Sequence, residues 1–277
     1  EGATKTIYVM PGLGEYRSSN RVQALAELAY AEGYNVVSFS SPFNWEFLTA
    51  APKPFLPGYV ESDLDQIENV MTAIEQNLKD EYSEKDFGKK SVIGMSLGAW
   101  YTMNLAARSE KKFDKYIAIN PPVNLFEGLE TIDDLYRTPF KGRSMEEAKK
   151  LANVASLKAV AAMSGGPRVS NELPFTHDEA SFLIGLNFRF TLRQAIFAGQ
   201  IDEMTSFYNS REDIYSKLAN ISFRDYYQKM VRPQLREKGV TAEEITKNVD
   251  IRSQLTNLKK GQNINLVLTQ NDFLLTE

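Results

Sequence analysis

Ser91-Val92-Ile93-Gly94-Met95-Ser96-Leu97-Gly98-Ala99-Trp100-Tyr101-Thr102-Met103 passes from an apolar, β-branched strand into a helix, with Ser96 on the turn between them and a glycine two residues to either side. A serine on such a turn is held in a strained backbone conformation that lifts its hydroxyl above the sheet. Gly94 and Gly98 let strand and helix approach closely. The next amide, on Leu97, lies at a helix amino terminus, where the local dipole favours a developing negative charge. The alternative is a serine that merely caps a helix in some other doubly wound protein.

Upstream, Thr6-Ile7-Tyr8-Val9-Met10 is a short apolar run that stops at Pro11-Gly12-Leu13-Gly14, a buried strand ending in a tight loop. Val22, Leu25, Leu28 and Ala29 recur at helical spacing, with Ser19 or Asn20 able to cap. Residues 35–41 form a second strand, and residues 42–57, with four prolines, read as a long loop. Ile67, Val70, Met71, Ile74 and Leu78 form one apolar stripe, capped by Ser62 or Asp63.

Downstream, the helix from Leu97 to Arg108 leads to a fourth strand at Tyr116-Ile117-Ala118-Ile119, and a fifth follows only at residues 264–269. Alternation of this kind implies βαβ crossovers and a parallel open sheet with helices on both faces. The segment from 121 to 261 has helical periodicity and no convincing strand. It is far longer than an ordinary connection and reads as an all-helical cap. Capping boxes at Ser144/Glu147, Thr176/Glu179 and Thr241/Glu244 mark its helix starts. The expected organisation is a core of residues 1–120 and 262–277 with a cap of 121–261.

Composition excludes much else. The 277 residues are 43% hydrophobic and 25% charged with net charge −4, and the basic residues form no stripe, so a packed globular core is expected and nucleic acid is not. No apolar run is long enough to cross a bilayer. With no cysteine and one histidine, neither a metal site nor a disulfide is implied. The glycines after the first strand lack the third position of a dinucleotide fingerprint, so no cofactor is implied either. The opening Glu1-Gly2-Ala3-Thr4, without Met, suggests a removed signal peptide or a trimmed chain and favours an exported protein.

Taken with the Pro-Gly turn one strand away, the Gly94-Met95-Ser96-Leu97-Gly98 turn resembles the nucleophile elbow of the α/β-hydrolase superfamily, over nearly all of the core. The resemblance implies a serine hydrolase that cleaves a carboxylic ester through an acyl-enzyme on Ser96. Leu97 and a residue of the first loop, Leu13 or Gly14, would supply the oxyanion amides. Asp272, after the strand that follows the cap, would be the acid; its alternative is a loop aspartate capping the next turn. Gly14, Trp45 and Met95 are candidates for substrate contact. The crowd of aromatic residues in the cap mostly holds it together, and its surplus points to an apolar pocket for an acyl or aryl substrate.

The resemblance further implies a strand, a loop bearing the catalytic histidine and a last helix after Asp272, so the chain is expected to stop short of its natural end. His177 precedes the acid and opens a cap helix, a place that disfavours an imidazolium, and reads as structural or lid-facing. A base borrowed through His177, a ligand-binding protein without a base, and an acyltransferase or peptidase on the same serine are the alternatives.

Overall fold

The computed structural model describes residues 5–53, 55–108, 113–164, 174–204, 210–270 and 272. Strands β1 (Lys5–Met10), β2 (Tyr34–Ser38), β3 (Lys90–Met95), β4 (Lys115–Ile119) and β5 (Ile264–Val267) form one sheet in the order β2-β1-β3-β4-β5. Every pairing is parallel, with Met10 opposite Gly94, Met95 opposite Ile119 and Ile119 opposite Val267. The carboxyl ends of β1, β3, β4 and β5 therefore lie level along one edge. The turns that leave them become neighbours there, the usual place for a site in a parallel sheet.

Alternation with helices produces this arrangement, because a parallel neighbour can be reached only by a crossover. Helices α1 (Asn20–Ala31), α2 (Trp45–Ala50), α3 (Val60–Glu81) and α4 (Leu97–Arg108) fall between the first four strands. In α4 every residue from Leu97 to Ala106 is buried, as a helix apolar on all sides must be. Trp100, Tyr101 and Leu105 of α4 join Tyr8, Met10, Val92 and Tyr116 of the strands in one core cluster. Each such large apolar side chain contributes about 1.5–3 kcal/mol by leaving water.

Between β4 and β5 the described residues contain helices and no strand. These are α5 (Leu125–Arg137), α6 (Met145–Met163), α7 (His177–Met204), α8 (Arg211–Lys217), α9 (Phe223–Tyr226), a π turn (Tyr227–Val231), α10 (Arg232–Glu237), α11 (Ala242–Val249) and α12 (Ile251–Leu255). Both bonds of a capping box form at Ser144/Glu147, Thr176/Glu179 and Thr241/Glu244. A fourth, Ser222/Asp225, escapes the sequence pattern because Asp replaces Glu. Helix α5 lies across α7 so closely that a Cβ on Gly185 would stand 2.4 Å from the Tyr136 nitrogen. Tyr136, Phe140 and Phe182 pack ring to ring at this crossing. A single backbone bridge pairs Asn124, before α5, with Asp250, before α12.

Three expectations change. The proline-rich stretch 42–57 contains α2, begun by Asn44, whose side chain accepts from the Glu46 amide. Ser19 holds the cap position of α1 without making a side-chain bond. Helix α3 begins at Val60, so neither Ser62 nor Asp63 caps it. Asp63 is instead fully buried, accepting from the Tyr101 hydroxyl (2.7 Å) and the Gly58 amide (2.8 Å).

Burial raises the Asp63 carboxyl to about 7, against the opposing pull of those hydrogen bonds. An unfolded chain returns it to about 3.9. The folded state therefore keeps a proton that the unfolded state gives up, and this contribution to stability is whole below about pH 4 and lost as pH rises to about 7. The loss is on the order of 4 kcal/mol. Thermal unfolding followed across that interval is expected to give a shallower decline for Asp63→Asn than for the parent; parallel curves would refute the assignment.

β5 differs from the other strands. Its apolar sequence reads as buried, yet it forms an edge of the sheet, and Leu266, Val267 and the following Leu268 are each about half exposed.

Candidate functional site

Ser96 has φ 51°, and the only other described non-glycine residue with positive φ is Asn120, at 49°. Both stand immediately after a strand. The Ser96 amide donates to the Ile119 carbonyl (2.9 Å) and the Asn120 amide to that of Val267 (2.9 Å), so each residue turns the chain sharply while still paired with the neighbouring strand. The Ser96 carbonyl accepts from Trp100 (3.0 Å), which starts α4 at once. A left-handed L-residue costs about 1–2 kcal/mol, and it is held here by pairing on both sides.

The two flanking glycines are required sterically. A Cβ on Gly94 would lie 2.2 Å from the Gly98 carbonyl oxygen and 2.4 Å from Thr102 Oγ1. One on Gly98 would lie 2.2 Å from the Met10 oxygen and 2.5 Å from that of Pro11. The end of β1, the end of β3 and the start of α4 thus meet in backbone-to-backbone contact at Ser96.

Leu97, as the first residue of α4, has an amide without an intrahelical acceptor, and neither it nor the Leu13 amide has a partner among the described residues. Leu13, Ser96 and Leu97 line one narrow pocket, whose other wall is Pro122 with Leu125, Gly128, Leu129 and Ile132 of α5. The open space is about 20 Å³, room for roughly one water molecule. Sequence reasoning missed α5 as this wall, although the spacing of residues 125, 128, 129 and 132 is that of a single helix face.

The residues expected to touch substrate lie elsewhere. Gly14 is turned towards α7, where a Cβ would collide with Thr191 Cγ2 at 2.0 Å. Its amide donates to Ser41 Oγ (3.3 Å) and its carbonyl accepts from Asn44 Nδ2 (2.9 Å). Trp45 opens a short helix and is 56% exposed. Met95 is half-buried at the end of β3. None of the three lines the pocket at Ser96. The pocket is apolar as expected, but its wall is aliphatic, and cap rings such as Tyr136, Phe140 and Phe182 pack on one another instead.

Asp272 stands beyond β5 on the same edge as Ser96. Asn120 Nδ2 donates to its Oδ2 (2.8 Å) and to Thr269 Oγ1 (2.7 Å), while Asn120 Oδ1 accepts from the Thr269 amide (2.8 Å). Asn120 therefore holds the loop that carries Asp272, a role with no sequence motif to announce it. The only histidine is placed otherwise. His177 has a 94% exposed side chain and lines a separate cleft between α6 and α7 with Arg143, Glu147 and Lys150.

Among the described residues no helix is long and apolar enough to cross a membrane, and no three His, Cys, Asp or Glu side chains gather as a metal site.

A parallel sheet in this strand order, with a positive-φ serine between glycines at the β3–α4 junction, is the α/β-hydrolase fold. No family model matches the chain, and no curated protein does. Solved structures do. An esterase of Pyrococcus furiosus is similar over 49% of this chain at 21% identity and TM-score 0.37. An Est1E structure from Butyrivibrio proteoclasticus with bound ferulic acid is similar over 52% at 14% identity and TM-score 0.32. The chain spans about half the length of these two, 50% and 49% respectively. A proline iminopeptidase of Mycobacterium smegmatis is similar over 96% of this chain and 81% of its own, at 14% identity and TM-score 0.38.

Proposed function

We propose that the chain is the core and cap of a serine hydrolase that cleaves esters of apolar acyl or aryl groups through an acyl-enzyme on Ser96. The observation that carries this reading is the strained Ser96, at φ 51°, in an apolar pocket beside two amides free to receive an oxyanion. Ser96 Oγ attacks the ester carbonyl, and the carbonyl oxygen, becoming negative, is taken by the Leu97 and Leu13 amides. The alcohol leaves with a proton, and water then releases the acid. Asp272, held by Asn120, orients the histidine that accepts and returns the proton. A histidine beside the carboxylate is what the resemblance implies. Residues 121–261 act as the cap, with α5 as the wall against which the acyl group packs.

Incubation with a fluorophosphonate, digestion and peptide mapping test the reading: the label is expected on Ser96. Labelling at another serine, or none in the full-length natural protein, would favour a ligand-binding protein on the same fold. That second reading draws support from the near-filled pocket and from the position of His177 in another cleft.

Chain-length selectivity is a further expected outcome. Leu129 lines both the Ser96 pocket and an adjoining groove of about 380 Å³ between α5 and the π turn, with Phe126, Phe223 and Tyr227. Truncating its side chain to a methyl thins the wall between the two. Leu129→Ala is expected to shift the preferred p-nitrophenyl ester towards longer acyl chains, with kcat/KM for the longer chain gaining roughly tenfold over the shorter, the scale of one or two methylenes newly accommodated. An unchanged ratio would place the acyl group elsewhere.

A further inference from the structure

Glu15 is attached to both sides of Gly12. The Gly12 amide donates to Glu15 Oε2 (2.8 Å), and the Gly12 carbonyl accepts from the Glu15 amide (3.3 Å). Lacking a Cβ, Gly12 has two soft torsions that its own structure does not fix, so these bonds decide how the peptide between Gly12 and Leu13 is turned. In a planar trans peptide the carbonyl and the following N–H point in opposite directions. With the Gly12 oxygen drawn to Glu15, the Leu13 N–H faces the other way.

The carboxylate is itself anchored. Oε1 accepts from Arg21 Nε (2.7 Å), the side chain is 11% exposed, and the Glu15 carbonyl accepts from the Ser41 amide (2.9 Å) in the loop after β2. The carboxylate also stands beside the site: the point where a Gly12 Cβ would lie is 3.0 Å from Glu15 Oε2 and 3.6 Å from Ser96 Cβ. Both oxygens are engaged by donors, so Glu15 is not placed as a base for Ser96.

We infer that Glu15 is a positioning residue, one that fixes the Gly12–Leu13 peptide so that the Leu13 amide is presented to the oxyanion formed at Ser96. This rests on the reading of Ser96 as nucleophile. A second consequence follows for the Gly12 amide: occupied by Glu15, it does not compete with Leu13 for the oxyanion.

Glu15→Ala and Glu15→Gln in the full-length natural protein test the assignment. Loss of one complete oxyanion donor lowers kcat by about 10²–10³; a donor left in place but unfixed should lower it by roughly 10- to 100-fold in Glu15→Ala, with KM nearly unchanged. Gln keeps an oxygen for the Gly12 amide and loses the charge and the acceptor that Arg21 uses, so Glu15→Gln is expected to remain within about fivefold of the parent. A loss confined to KM, an equal loss in both variants, or none in either would overturn the proposal. Amide resonances of ¹⁵N-labelled protein give a readout that needs no turnover. Glu15→Ala is expected to shift the Leu13 signal and speed hydrogen exchange at Gly12 while the Gly98 signal stays in place. An unmoved Leu13 signal refutes the inference even where Ser96 labels. A shifted signal in a protein whose Ser96 never labels supports the positioning and refutes the hydrolase reading.

Discussion

A Ser96→Ala chain is expected to take up no fluorophosphonate and to lose roughly 10⁴- to 10⁶-fold in kcat on any ester that the parent turns over. The substitution removes one oxygen and leaves the Cβ in place, so the left-handed backbone at this residue carries the same strain as before. Its amide still pairs with Ile119 and its carbonyl with Trp100. Thermal stability should therefore be almost unaltered, which separates a chemical loss from a folding defect. What survives is the part of the acceleration due to binding and the oxyanion amides, which do not depend on the nucleophile. A variant that stays fully labelled, or hydrolyses at the parent rate, would remove Ser96 from the mechanism.

Gly98→Ala should have the largest effect on stability. The new methyl would sit 2.2 Å from the Met10 oxygen and 2.5 Å from that of Pro11, and backbone carbonyls at a strand end cannot rotate away like a side chain. Either α4 lifts from the sheet or β1 shifts, at a cost of about 3 kcal/mol or more. For a chain of this size that is a fall in Tm of roughly 6 to 10 °C. Gly142→Ala is the comparison: it has positive φ (75°) but no atom within 4 Å of its Cβ position, so it costs only the strain of a left-handed alanine, about 1–2 kcal/mol. Calorimetry giving equal shifts for the two variants would mean that close approach at the β3–α4 junction is not what fixes Gly98.

The sequence yields the strands, the serine turn and the helical insertion because each carries a local signal. Apolar β-branched runs mark β1 and β3, and the capping boxes mark α6, α7 and α11. Asp63 lies inside α3 rather than capping it, and the sequence does not show this because a carboxylate near the start of an apolar stripe has the same local pattern in both places. Only the packing of Tyr101 against it distinguishes the two. Glu15 and Asn120 gave no signal at all, since their bonds run to Gly12, Arg21, Thr269 and Asp272 and belong to no recognised spacing. Gly14 and Met95 adjoin the first loop and the serine turn along the chain and Trp45 follows the second strand, but direction is set by the turn of each backbone. Helix α5 supplies the wall of the pocket instead, being the first element after β4 and bound to return across the sheet's edge.

The bridge between Asn124 and Asp250 brings together the two points where the chain leaves the sheet and where it comes back towards it. Each of these residues also caps the helix that follows it, α5 and α12, so both strands of the joint are braced on the same spot. The bridge is one of several ties: Tyr226 Oη donates to the Pro57 carbonyl (2.6 Å), Lys53 Nζ to that of Ala198 (3.0 Å) and Asn248 Nδ2 to Tyr59 Oη (3.3 Å), and Thr191 of α7 lies against Gly14. Loosening that joint alone would therefore leave the helices seated on the residues before α3 and on the loop that precedes α1.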